Sequence, residues 1–174
     1  MLIYHPAFDP YHGAFRSLAL LSELSPAPYE VERMRILDFY LVFPAALKHV
    51  IFPQKAVQYR RRILRKANRY DSLEDPQRIF ARLDPYQMAA FKFMAATDLV
   101  DSSKFASGKI ERTTLRLPDH LAEDLSMFKA NNEDLVKLLT KSFRDISLYG
   151  PSGLKYRTHL FEYRYDPARA VSLS

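Results

Sequence analysis

The chain has 174 residues, with 26 lysines and arginines against 20 aspartates and glutamates, a formal charge of +6, 48% hydrophobic residues and no cysteine. That composition is globular, long enough for a sizeable core in one domain spanning residues 1–174, and it excludes disulfides, thiolate metal sites and, with no run near the roughly 20 apolar residues a bilayer span requires, a transmembrane helix. The opening MLIYHPAF lacks the basic stretch and long apolar run of a secretory signal, so a soluble, cytoplasmic protein is expected, and the positive balance favours an acidic partner, nucleic acid or an acidic protein surface.

Asp-Pro occurs four times, at Asp9-Pro10, Asp75-Pro76, Asp84-Pro85 and Asp166-Pro167. An aspartate at the N-cap accepts from the free N–H groups of a first turn, and proline at the next position gives up an N–H that has no intrahelical partner. The first three pairs therefore predict helix starts near residues 10, 76 and 85. The first helix covers residues 10–24 and ends in Ser-Pro-Ala-Pro. A second follows in VERMRILDFYLV, where Val31, Met34, Leu37 and Leu41, broadened by Phe39 and Tyr40, keep the 3.6 period until Phe43-Pro44. Pro44 opens a short helix, Phe52-Pro53 ends it, and a basic helix is expected over 54–70.

Short helices at 76–82 and 85–97 meet across a very tight turn, the spacing of a helix-turn-helix. The polar turn DSSKFASGK and the alternation of residues 110–117 then read as a β-hairpin, which makes 76–117 a winged-helix pattern. Two helices over 118–131 and 133–149 form a C-terminal helical hairpin, and YRTHLFEYRY reads as a short final strand. The expected fold is mainly α (α+β), a winged helix-turn-helix-like core with additional N-terminal helices and the C-terminal part at 118–166.

The charge is concentrated. From Phe39 to Tyr70 there is no acidic residue, while Lys48, Lys55, Arg60, Arg61, Arg62, Arg65, Lys66 and Arg69 supply +8, more than the net charge of the whole chain. No carboxylate at i+4 balances the segment 55–69, and such like-charge repulsion is unfavourable for a merely solvated helix, so this segment is the first candidate for binding DNA or an acidic protein surface. Lys104, Lys109 and Arg112 of the expected wing are further phosphate contacts. In PYQMAAFKFMAAT only Gln87 and Lys92 suit base edges, so sequence-specific readout is not expected. Its Phe91 and Phe93, with Tyr59, are candidate protein-interface aromatics, set against burial in the chain's own core.

His5, Asp9 and His12 form an H-x3-D-x2-H array that suits zinc or iron, but Asp9 is equally a helix cap of a kind the chain repeats, and capping is the expectation. No Gly-x-Ser-x-Gly, HExxH or paired-carboxylate motif is present, and the four glycines are too scattered to cradle a phosphate, so neither catalysis nor a cofactor is expected.

MLIYHPAFDPYHGAFRSLALL, together with VERMRILDFYLVFPAAL and GLKYRTHLFEYRYD, resembles the middle component of bacterial ABC-three-component defence systems, the type that includes Lamassu. The resemblance is carried by Tyr-His-Pro-x-x-Asp-Pro-Tyr-His and Leu-Asp-Phe-Tyr-x-x-Phe-Pro. It implies a small, non-catalytic, winged-helix-like adaptor that sits with an SMC- or Rad50-like ABC ATPase and an effector, often a nuclease, in anti-phage or anti-plasmid immunity. It transfers no function to individual residues. The rival reading is a free-standing winged-helix transcription regulator, for which the charge and the helix-turn-helix pattern would also suffice.

Overall fold

Asp9 and Asp75 act as the sequence predicts. In the computed structural model, which describes residues 4–67 and 73–162, the Asp9 carboxylate accepts from the N–H groups of Tyr11 and His12 at the start of α1 (Pro10–Glu23), and that of Asp75 from Arg78 N–H at the start of α4 (Pro76–Ala96). Between these helices lie β1 (Tyr29–Glu30), α2 (Val31–Val42), a 3₁₀ turn (Pro44–His49) and α3 (Val57–Lys66). After α4 come α5 (Ser102–Ala106), β2 (Lys109–Ile110), α6 (Asp119–Asn131), α7 (Glu133–Lys137), which continues as a π-helical segment Leu138–Phe143, and α8 (Leu154–Thr158).

The third Asp-Pro pair starts nothing. Residues 76–82 and 85–97 are not two helices across a turn: α4 runs through Pro85 as one helix of 21 residues. A proline inside a helix removes one hydrogen bond and costs about 3 kcal/mol. Packing on both sides of it outweighs that cost, because Phe80 and Leu83 before Pro85 and Gln87, Ala90, Phe91 and Met94 after it are all buried. Asp84 does not cap. Its carboxylate lies 3.0 Å from Nη2 of Arg35 on α2.

The expected wing is also replaced. Val100 and Arg112 form an isolated antiparallel bridge, but the turn between them folds into α5, and β2 pairs with β1 in the register Tyr29–Ile110 and Glu30–Lys109. Gly108, at φ +81°, makes the reversal from α5 into β2. The expected final strand over 156–165 is helical where it is described, as the end of α8 and a 3₁₀ turn at Leu160–Glu162. The remainder lies outside the described residues. Leu154 and Thr158 are buried one helical turn apart, and the Thr158 hydroxyl donates to Leu154 O at 2.8 Å, so packing overrides the β propensity of this stretch.

α2 is the central element. Met34, Ile36, Leu37, Phe39 and Tyr40 are each at most 1% exposed, and Arg33 and Asp38 are buried with them, so neighbours cover the helix on almost every side. α1 crosses α4 at a small-residue contact: a Cβ on Gly13 would stand 3.1 Å from that of Ala90. Buried residues from Ala7 to Leu160 form one continuous hydrophobic cluster. Three polar side chains buried in it bond to one another. Arg16 Nε donates to Asp38 Oδ1 at 2.6 Å, and Gln87 Nε2 donates to Asp38 Oδ2 at 2.9 Å, which ties α1, α2 and α4 together. Among the described residues, no helix is long and apolar enough to cross a membrane.

Candidate partner-binding face

α3 is held to the body by few residues. Ala56 just before it and Ile63 within it are its buried contacts, with Tyr59 and Leu64 half-buried beside them. Its last turn carries Arg65 and Lys66, where the negative end of the helix dipole favours cations. It packs on α7 and on the 3₁₀ turn Pro44–His49.

The cations divide by what they touch. Arg60 Nη2 donates to Lys48 O at 2.8 Å and its guanidinium lies 5.3 Å from the Phe52 ring centroid, while its Nε is buried without a partner among the described residues. Arg62 stacks over Tyr59 at 5.0 Å, and its Nη2 is 3.4 Å from Asp134 Oδ1. Lys66 Nζ is 3.5 Å from the other oxygen of the same carboxylate. Lys55, Arg61 and Arg65 are exposed and have no ion pair among the described residues. Arg61 and Arg65, four residues apart, share one side of the helix. Arg69 lies outside the described residues. The local field is registered by His49, whose pKa is lowered by burial and by Lys48 and Arg60 beside it.

Next to the last turn of α3 opens a cavity of about 250 Å³. Pro44, Ile63, Ala67 and Leu135 give it an apolar lining, and Lys66 and Asp134 stand among its polar lining. Sequence reasoning missed both Asp134 and this cavity. Asp134 belongs to a different helix, 68 positions from Lys66, and no local pattern announces it.

The other predicted residues lie elsewhere. Lys104 is exposed on α5 and Lys109 half-buried on β2, elements that pack on each other and on α4 and β1, so they do not join the α3 group. Arg112 is a brace: Nη1 donates to Leu99 O at 2.8 Å and Nη2 to Leu115 O at 2.6 Å. Phe91 is 1% exposed and belongs to the core, which removes it from the surface of this chain. Phe93, 38% exposed, packs edge-on against Tyr11 at 5.3 Å. Gln87 is buried against Asp38 and is not presented to any partner.

His5, Asp9 and His12 do not converge as ligands. Asp9 accepts from two N–H groups of α1 and from the Tyr4 hydroxyl at 2.7 Å, and Tyr4 first, then the His12 N–H, hold its pKa below the ordinary value. His5 is a cap too, accepting at Nδ1 from Ala7 N–H at 3.1 Å, with its ring stacked on Phe43.

No curated protein and no solved structure matches the chain. The family model described as ABC-three component (ABC-3C) system Middle Component 5 matches residues 2–166, nearly the whole sequence, and the chain therefore belongs to that family.

Proposed function

We propose that the chain is a non-catalytic adaptor of a three-component defence complex, linking an SMC- or Rad50-like ABC ATPase to an effector nuclease in anti-phage or anti-plasmid immunity. Family membership gives the setting. The observation that carries the adaptor role is the exposed side of α3 and of the turn before it, where Lys55, Arg61 and Arg65 project with no ion pair among the described residues. Such a surface is suited to holding an acidic partner, either duplex DNA without sequence preference or an acidic protein surface. The buried carboxylate of Asp38 is occupied in joining helices, bonded by both Arg16 and Gln87. Lys104, Lys109, Tyr59 and Phe93 are further contact residues in this reading. A free-standing regulator would read its operator through a two-helix unit, and the single helix α4 stands in that place.

Co-expression of the chain with the other two components of its system, followed by size-exclusion chromatography, tests the role. The expected result is co-elution of the tagged chain with the ATPase. A chain that elutes alone, with both other components present and folded, overturns it.

A further inference from the structure

We infer that the surface formed by α4 and the start of α1 binds single-stranded DNA without sequence preference, stacking unpaired bases on the exposed rings of Tyr11, Tyr86 and Phe93 and meeting phosphates with Arg78 and Arg82. This activity is additional to the adaptor role and uses none of the α3 cations. It gives Phe93, a contact residue of the adaptor reading, a nucleic-acid ligand.

Direct contacts join these residues into one surface. Arg78, Arg82, Tyr86 and Phe93 follow one another along α4 at the four- and seven-residue spacings that keep side chains on one side of a helix. The segment before α1 and its first turn pack against that side: the Phe8 ring meets Tyr86 edge-on at 5.4 Å, Tyr11 meets Phe93 edge-on at 5.3 Å, and the Arg82 guanidinium lies 5.4 Å from the Phe8 centroid. Tyr11 is 70%, Tyr86 37% and Phe93 38% exposed, so these rings hold one another and still face solvent. Tyr86 and Phe93 stand roughly 10 Å apart along the helix at 1.5 Å per residue, which separates the two ring pairs enough to take different bases of one strand.

Three features point to unpaired bases. The large hydrophobic side chains exposed on this surface are all aromatic, while the exposed aliphatic ones, Ile51, Val57, Leu115 and Met127, belong to other segments. Every base has a π-face and stacks on such rings whatever its identity, whereas the bases of a duplex are already stacked inside it. Secondly, the carboxylates of residues 4–15 and 76–96 are Asp9 and Asp84, and both are engaged, Asp9 by the Tyr4 hydroxyl and the first N–H groups of α1, Asp84 by Arg35. Arg78 and Arg82 are exposed with no ion pair among the described residues, so the row presents positive charge, the complement of a phosphate chain. Thirdly, apolar rings gain contact with the thymine methyl group, which uracil lacks, and no carboxylate of the row is left to accept from a ribose 2′-hydroxyl, which favours DNA over RNA.

The test titrates the purified full chain into a labelled oligo(dT) of about 20 nucleotides, longer than the sites of most single-strand binders, and reads fluorescence anisotropy beside oligo(U) and random-sequence duplex of the same length. Oligo(dT) is expected to bind more tightly than either. Tyr11→Ala with Phe93→Ala should weaken that binding about tenfold or more, the size of one lost stacking contact, and leave duplex binding unchanged. Arg78→Ala with Arg82→Ala should lower the salt slope by about 1.4, two phosphate contacts at about 0.7 each. The chain has no tryptophan, so Tyr11→Trp keeps a stacking ring and adds a single fluorophore that oligo(dT) should quench, a readout that stands should the double alanine variant lose its fold. No binding of oligo(dT), equal binding of duplex, tighter binding of oligo(U), an unquenched tryptophan or a salt slope indifferent to Arg78 and Arg82 overturns the inference. So does a folded double alanine variant that holds oligo(dT) as the wild type does; if it also loses the other components of the system, the rings belong to a protein contact. Each of these outcomes leaves the adaptor role standing, which co-elution decides.

Discussion

The arginines of α1 and α2 and the arginines of α3 are the same side chain put to opposite uses. Arg16 donates to Asp38 twice, at 2.6 and 3.3 Å, and to Pro6 O at 3.1 Å. Arg33 bonds Glu30 and, through Nη1, the carbonyls of Phe143, Arg144 and Ile146. Arg35 donates to Gln87, pairs with Asp84 and lies 4.7 Å over the Phe80 ring. On α3, by contrast, Arg61 and Arg65 meet no acid among the described residues, and Arg62 shares one with Lys66. The inner arginines are neutralised stitches between helices, and removing their partners unmakes the fold. In the adaptor reading Arg61 and Arg65 are charge in reserve, and removing them should unmake only what binds.

The largest test of that contrast is Asp38→Ala, which strands the Arg16 guanidinium and one Gln87 bond in the core. Breaking a buried pair from one side costs about 3–5 kcal/mol, so the denaturant midpoint should fall steeply with an unchanged slope. A loss under about 1 kcal/mol would show that water replaces the pair and that the node is not a stitch. Next is Arg33→Ala, which leaves three carbonyls at the end of the π-helical segment without their donor. We expect a loss of about 1–3 kcal/mol, with faster hydrogen exchange concentrated between residues 138 and 146. A uniform change in exchange across the chain would contradict the assignment of Arg33 to that segment.

Reading the sequence reached the parts of the molecule whose causes are local. Asp9 and Asp75 cap as predicted because an N-cap depends on three or four neighbouring residues, and the apolar density of α2 was plain from its period. The resemblance, too, lay in short patterns around Asp9 and Phe39, and the family match extends it over nearly the whole chain. What failed depends on distant groups. Asp84-Pro85 looks like a helix start until Arg35 is brought beside it, and Ile110 looks like half of a hairpin until Tyr29 pairs with it. Composition alone sorts the arginines no better, since Arg33 meets its carbonyl partners 110 or more positions along the chain. The basic run of α3 was legible as charge, while the cavity and the carboxylate of Asp134 that give it shape come from α6, α7 and Pro44.

The smallest predicted effect on stability is the sharpest on meaning. Asp134 faces Arg62, whose side chain is 53% exposed, and Lys66, which is 79% exposed. Pairs this open to water contribute at most about 1 kcal/mol, so Asp134→Ala should leave the thermal midpoint nearly in place. Its effect on binding runs the other way from the effect of losing an arginine. With the internal carboxylate gone, Arg62 and Lys66 join Arg61 and Arg65 as cations with no ion pair among the described residues, and an acidic partner should be held several-fold more tightly, with a steeper dependence on salt. If Asp134→Ala instead weakens retention of the other components, then Asp134 is itself a contact for a cation of the partner, and the face is mixed in charge. A tighter complex at little change in stability would mark α3 as the region whose charge is kept for something other than this chain.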